Sequence, residues 1–220
     1  QGHFDVRARV AQLMNLELGQ IKVVASEIGG GFGGKTTVYL EPVALILSKK
    51  SGRPVKMEMS RGDVFRASGP ASASQSRIKI GAKMDGTITA MQATLHYEAG
   101  AFQGSPMGPG CMTVFTPYDV ENLYVEGFDV VVNKPKVAAY RAPGAPQSEF
   151  AAEMAVNELA KKIGMDPIEF RLKNAAKEGT QTIYGPKLKV VGLVACLEAA
   201  KSSPHYNAPI PENVGRGLAA

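Results

Sequence analysis

The chain has no tryptophan, only two cysteines and only three histidines in 220 residues. Cys111 and Cys196 stand far apart and neither belongs to a Cys-x-x-Cys, which excludes both a zinc cluster and a disulfide framework. His3, His96 and His205 are spread along the chain without the spacing of a metal pair or the company a catalytic triad needs. No run of 18 apolar residues occurs, so no membrane-spanning helix is expected. Charge is scattered rather than blocked, with a net value of +5. The Tyr and Phe residues do not interleave with basic ones, so no nucleic-acid footprint is legible. Internal repeats are absent too, which removes solenoids. What remains is the composition of a soluble globular protein, 45% hydrophobic and 20% charged, long enough for one large domain or two small ones.

Against these absences stands one stretch rich in glycine, Ile28-Gly29-Gly30-Gly31-Phe32-Gly33-Gly34-Lys35-Thr36. Glycine reaches positive φ without steric cost, so such a loop curls tightly and turns its N–H groups toward a ligand. The preceding 20–27, with Ile21, Val23 and Val24, reads as a strand, and 39–50 reads as a helix. Strand, glycine loop and helix start together describe an anion cradle. Gly29-x-x-x-x-Gly34-Lys35-Thr36 satisfies the P-loop pattern, in which Lys35 and Thr36 would meet phosphates and magnesium. The dinucleotide pattern Gly29-x-Gly31-x-x-Gly34 also fits, but it wants an acidic residue about 20 positions on, where Ser51-Gly52-Arg53-Pro54 stands. A turn that only packs a strand against a helix is the structural alternative.

Along the chain, Phe4–Leu18 carries Val6, Val10, Leu13 and Met14 at helical spacing and ends at Gly19. Val55–Met59 alternates as a strand, and 60–72 reads as a loop. Arg77–Met84 and Thr87–Tyr97, joined by Asp85-Gly86, form the clearest hairpin signal. Residues 99–113 read as a long loop, 123–132 as a strand bulged at Gly127, and 134–146 as irregular. Gln147–Ile163 is an amphipathic helix with Phe150, Met154 and Leu159 inward and Glu153, Lys161 and Lys162 outward, closed by Gly164. A short helix over 166–175 opens with Asp166 as N-cap and Pro167 at the first helical position. A last helix covers about 189–202 and buries Cys196, and 204–211 reads as a linker. The fold class is α+β, mixed strands with packed helices.

A second stretch, Ala139-Tyr140-Arg141-Ala142-Pro143-Gly144-Ala145-Pro146-Gln147, sets an arginine among small residues and prolines ahead of a helix. That suits a fixed planar donor, although a lone loop arginine is also an ordinary solvated charge. Taken with the opening Gln1-Gly2, the glycine loop, Ser51-Gly52-Arg53-Pro54-Val55-Lys56, the Asp85-Gly86 hairpin and the closing Gly215-Arg216-Gly217-Leu218-Ala219, it resembles the molybdopterin-binding large subunit of the molybdenum hydroxylase family, which includes xanthine dehydrogenase, aldehyde oxidoreductase and carbon monoxide dehydrogenase.

The resemblance implies a cofactor-binding domain over 1–205, with 206–220 a linker and the start of a further domain, all cut from a longer chain. Gln1 resembles the glutamine that approaches an oxo ligand of the metal. Gly31, Phe32 and Gly33 resemble the loop lying against the metal's ligands and the pterin, and Ala139, Tyr140 and Arg141 the loop on the other side. No side chain is implied as a direct metal ligand, because the cofactor's dithiolene holds the molybdenum. That cofactor would be molybdopterin or its cytosine dinucleotide, with iron–sulfur clusters and FAD in partner subunits or domains.

The implied reaction hydroxylates an aldehyde or N-heterocyclic carbon with oxygen from water. A cytoplasmic oligomer of heteromers is implied with it. The general-base glutamate is expected beyond Ala220, so the segment alone is expected to be inactive. Thr36 and Pro143 line the implied substrate pocket, but purine-oxidising members carry a glutamate and an aromatic ring there, and Pro109 lies near the place of their substrate-orienting arginine. Ala142 stands where carbon monoxide dehydrogenase has a copper-binding cysteine. Purine and carbon monoxide chemistry are therefore not expected.

Overall fold

The computed structural model describes residues 2–220. In chain order the helices and strands are α1 (His3–Met14), α2 (Glu41–Ser51), α3 (Arg61–Ala67), β1 (Ser74–Ala82), β2 (Ile88–Gly100), α4 (Met107–Thr113), β3 (Asn122–Val131), α5 (Ala145–Ile163), α6 (Pro167–Asn174), α7 (Leu193–Lys201) and α8 (Pro204–Asn207). They fall into two compact units. The first takes the chain up to Ala73 together with Glu98–Ser105 and Val130–Pro143, and the second holds Ser74–Tyr97, Pro106–Asp129 and Gly144–Ala220.

The second unit is built on a three-stranded sheet in the order β1-β2-β3. The Asp-Gly hairpin forms as expected. Gly86 takes a φ of 86°, and the amide of Lys83 donates to Thr87 O at 2.9 Å. β1 and β2 pair antiparallel from Ser74 opposite Tyr97, and the register shifts at Gly81/Ala82. Strand alternation then puts Met91, Ala93, Leu95 and Tyr97 on one buried face. There they meet Ala152, Val156 and Ala160 of α5 together with Val114, Phe115, Tyr118 and Phe170. β3 runs through Gly127 unbroken. The glycine serves close packing, since a Cβ there would lie 2.5 Å from both the Cys111 and Met107 sulfurs.

α5 is the expected helix, begun two residues earlier with Pro146 in its first turn and closed by Gly164 at a φ of 73°. Its buried face differs from the expected one. Phe150 is 70% exposed and Met154 is exposed, whereas Glu153 is 4% exposed. The reason is Arg171 of α6, which is 1% exposed and donates through Nε at 3.0 Å and Nη2 at 2.6 Å to Glu153 Oε2. Tyr118 donates its hydroxyl to the other carboxylate oxygen, and the amide of Ala220 donates to Oε2 at 2.8 Å. Burial first, and then the negative Glu153, push the Tyr118 pKa far up, so the phenol keeps its proton. α6 begins as expected, with Asp166 Oδ1 accepting from the amides of Ile168 and Glu169 at 2.8 and 3.1 Å.

Other expectations are corrected. Residues 55–59 form no strand, because no partner strand lies beside them. The presumed loop 60–72 contains α3, whose Ser60 and Asp63 form a reciprocal capping box. The presumed loop 99–113 ends in α4 despite its glycines. A Cβ on Gly110 would lie 2.4 Å from the Tyr97 hydroxyl, so that glycine is a packing requirement. The presumed linker contains α8. Cys196 is exposed rather than buried, and Leu197 takes the inward position on α7.

In the first unit, α1 stops at Met14 rather than at Leu18, because Asn15 turns left-handed at a φ of 50°. Val6 and Val10 are buried as expected, while Leu13 is exposed. α2 packs against α1 and starts with Pro42 in its first turn.

Candidate functional site

The glycine loop and the Ala139–Arg141 stretch both belong to the first unit. Their local structure follows from backbone freedom. Gly29, Gly30 and Gly33 take φ values of 65°, 103° and 97°, and Phe32 is left-handed at 49°. Such a φ is uncommon for a residue with a Cβ, and glycines on both sides give the chain room to adopt it. The stretch 20–27 that leads into the loop is not the expected strand, since it pairs with no other segment. The helix expected at 39–50 does form, as α2 (Glu41–Ser51). Residues 32–37 are turns and bends, and α2 begins only at Glu41.

That geometry removes the P-loop reading. A P-loop places its lysine and hydroxyl residue at the opening turn of a helix. Here Lys35 Nζ donates to Ile28 O at 2.6 Å, and Thr36 Oγ1 donates to Gly33 O at 2.7 Å. Both side chains brace their own loop instead of reaching out to phosphates.

The loop is anchored to the second stretch through its backbone. The amide of Arg141 donates to Phe32 O at 2.7 Å. Gly33 faces Ala139 so closely that a Cβ on Gly33 would lie 3.2 Å from both the Ala139 Cβ and its carbonyl oxygen. Phe32, Gly33, Ala139 and Arg141 are thus brought together, and Gly31 O accepts from the Gly34 amide at 2.7 Å. Ala142 follows at a φ of 53°, turning the chain toward Pro143 and Gly144. Gly2 abuts Thr36, to whose Cα an added Cβ would come within 2.8 Å. Gln1 lies outside the described residues.

The donor set left over is the chemically telling part. Among the described residues, the amides of Gly29, Gly30, Gly31, Phe32 and Gly33 donate to no acceptor. The Arg141 guanidinium is exposed and forms neither a hydrogen bond nor an ion pair among those residues. Phe32 is 63% exposed and Tyr140 60%. Consecutive free N–H groups, an uncommitted guanidinium and two uncovered rings suit a flat, oxygen-rich anionic group. No group of three or more His, Cys, Asp or Glu side chains among the described residues could hold a metal directly. The free amides, the guanidinium and the two exposed rings fit an anionic cofactor. The free amides were legible in the glycine run, but Lys35 turned back as a brace was not, because pattern alone does not say which way a lysine points.

Comparisons with known proteins agree. The molybdopterin cofactor-binding domain family matches residues 1–175. The nicotinate dehydrogenase large molybdopterin subunit of Eubacterium barkeri is 34% identical over 205 residues, 90% of this chain and 48% of that protein. The putative xanthine dehydrogenase molybdenum-binding subunit of Escherichia coli is 33% identical over 89% of this chain and 27% of its own length. Among solved structures, aldehyde oxidoreductase from Desulfovibrio gigas superposes with a TM-score of 0.83 at 29% identity, covering 89% of this chain and 22% of that one. The chain thus spans about half or less of the length of these relatives. With the fold, the paired loops and the family match in agreement, the chain belongs to the molybdopterin cofactor-binding domain family.

Proposed function

We propose that this chain is the cofactor-holding part of an oxidoreductase of the molybdenum hydroxylase type, one that hydroxylates an aldehyde or N-heterocyclic carbon with oxygen from water. The observation that carries the reading is the clasp of Arg141 N–H on Phe32 O at 2.7 Å. It joins two loops by their backbones while leaving the amides of 29–33 and the Arg141 side chain free for an anion. When bound, the molybdenum–pyranopterin supplies the redox chemistry and the metal's own ligands. The work of the chain is to bind and orient. The free amides and Arg141 complement anionic oxygens, and Phe32 and Tyr140 offer ring faces and exclude water from one side.

In this reading Gln1 would belong to the residues that hold the cofactor, and Thr36 and Pro143 would border the substrate. The Thr36 hydroxyl donates to Gly33 O, which leaves its lone pairs open to a substrate donor. The general base is a glutamate outside residues 1–220. Iron–sulfur and flavin domains or subunits would supply the electron-transfer chemistry in a cytoplasmic, hetero-oligomeric enzyme. Among the described residues no helix is long and apolar enough to cross a membrane.

The test is molybdenum per chain in the complete protein, wild type against Arg141→Ala. An exposed side chain without a partner contributes within about 0.5 kcal/mol to stability, so the variant should melt as the wild type does. Its molybdenum content should fall severalfold. Stoichiometric molybdenum in both proteins would refute the role of Arg141. A wild type without molybdenum would refute the function.

A further inference from the structure

Four segments of the first unit close on one another in a ring. The glycine loop reaches the Ala139–Arg141 stretch through Arg141 N–H to Phe32 O and through the Gly33–Ala139 contact. That stretch reaches Gly69-Pro70 through Ala138 N–H to Pro70 O at 3.0 Å. Gly69 sits so tightly there that a Cβ on it would lie 2.3 Å from the Ala138 Cβ and 2.8 Å from the Ala138 nitrogen. The circuit is completed by Tyr39. Its hydroxyl donates to Gly34 O at 3.1 Å and accepts from the Gly69 amide at 3.2 Å.

Every other link in the ring is main chain or packing against main chain. Tyr39 alone closes it through a side-chain functional group. The amide of Tyr39 is itself fixed, donating to Glu41 Oε2 at 2.8 Å where α2 begins. The phenol therefore projects from a defined backbone position, at the entry of a regular element.

We infer that Tyr39 is a positioning residue for the cofactor. Its hydroxyl ties the loop carrying the free amides to Gly69-Pro70, which grips the segment carrying Arg141. This rests on the function proposed above. Tyr39 need not touch the cofactor. Without the hydroxyl, Gly34 O and Gly69 N–H each lose a protein partner, and the two loops keep the Arg141–Phe32 clasp and the Gly33–Ala139 contact but lose the tie through Gly69-Pro70. A ligand held from both sides then binds loops that have to be ordered on its arrival, which weakens binding.

The test uses the complete protein with Tyr39→Phe, which keeps the ring and deletes only the hydroxyl. Removing one or two hydrogen bonds of ordinary strength corresponds to about a five- to thirtyfold change in an equilibrium. Molybdenum should accordingly dissociate about five- to thirtyfold faster on dialysis. In the loaded protein, amide exchange should speed up in 29–34 and in 136–141 together, with β1 and β2 unchanged. Melting temperatures of loaded and cofactor-free protein provide the control. A ligand that binds the folded state stabilises it according to its affinity, so weaker binding narrows the gap between the two.

A residue with a merely structural role would lower both melting temperatures equally and leave the gap intact. That result, or unchanged molybdenum retention in Tyr39→Phe beside a loss in Arg141→Ala, would overturn the inference and spare the function. A wild type that never holds molybdenum would overturn both. Should the phenylalanine variant fold poorly, exchange measured on wild type with and without cofactor decides instead. Joint protection of 29–34 and 67–70 on loading supports the ring, and protection of 29–34 alone refutes it.

Discussion

Replacing Arg171 by methionine should be among the most damaging single changes available in the second unit. The side chain is 1% exposed, and it neutralises a carboxylate that is itself 4% exposed. Glu153 accepts from Tyr118 and from Ala220 N–H as well, but those are neutral donors and leave its charge uncompensated. Breaking a buried pair from one side costs about 3–5 kcal/mol. In a chain of this size 1 kcal/mol moves the melting temperature by about 2–4 °C, so Arg171→Met should melt about 6–20 °C lower. Amide exchange in the middle of α5 and in α6 should accelerate about 10²- to 4 × 10³-fold, since each 1.4 kcal/mol is a factor of ten.

The double variant Glu153→Leu/Arg171→Met removes both charges and leaves no buried ion. It should therefore be more stable than Arg171→Met by about 1–3 kcal/mol, even though it carries one substitution more. Urea melts of wild type, both single variants and the double variant form the cycle. Strictly additive losses, or a single variant within about 0.5 kcal/mol of wild type, would show that the pair is solvated in solution and would refute the reasoning.

Two further outcomes are expected. Asp166→Ala should cost about 1 kcal/mol by removing the α6 cap. Burial alone would raise the Asp166 pKa, but bonds from the Tyr206 hydroxyl and from the Glu169 and Ile168 amides outweigh it and set it below 3.8. A depressed carboxylate stabilises above its unfolded value and loses that contribution as pH falls through the folded one. Urea melts of wild type and variant should therefore differ at pH 7 and converge below pH 3.8, and a gap that widens in acid would contradict the assignment. A thiol reagent should modify exposed Cys196 well before Cys111, which is half-buried and whose pKa is pushed up by burial, leaving less thiolate. At pH 8 the peptide map should show about a tenfold difference in rate, and equal rates would place Cys111 at the surface.

What the sequence disclosed depended on whether the decisive contact was local. The hairpin at Asp85-Gly86, the Asp166-Pro167 helix start and the Gly164 stop were legible because each is decided within a few residues. The strands expected at 20–27 and 55–59 had suitable alternation, but a strand exists only with a neighbour, and none pairs with them. α5 was legible as a helix but not as a face. Counting Phe150 and Met154 inward assumes that apolar means buried, whereas the inward place of Glu153 is set by Arg171, 18 positions away. The family resemblance singled out the loops of Phe32 and Arg141, but not the direct bond of Arg141 N–H to Phe32 O. The Tyr39–Gly69 bridge was not, since its partners are 30 residues apart and neither has a motif around it.

The two loops of the cradle are joined to each other through main chain, by Arg141 N–H on Phe32 O and Gly33 against Ala139. A main-chain hydrogen bond is indifferent to the side chain carried by the residue that makes it. Tyr140 and Pro143, which flank the clasp, can therefore be exchanged for other residues while the joint stays in place.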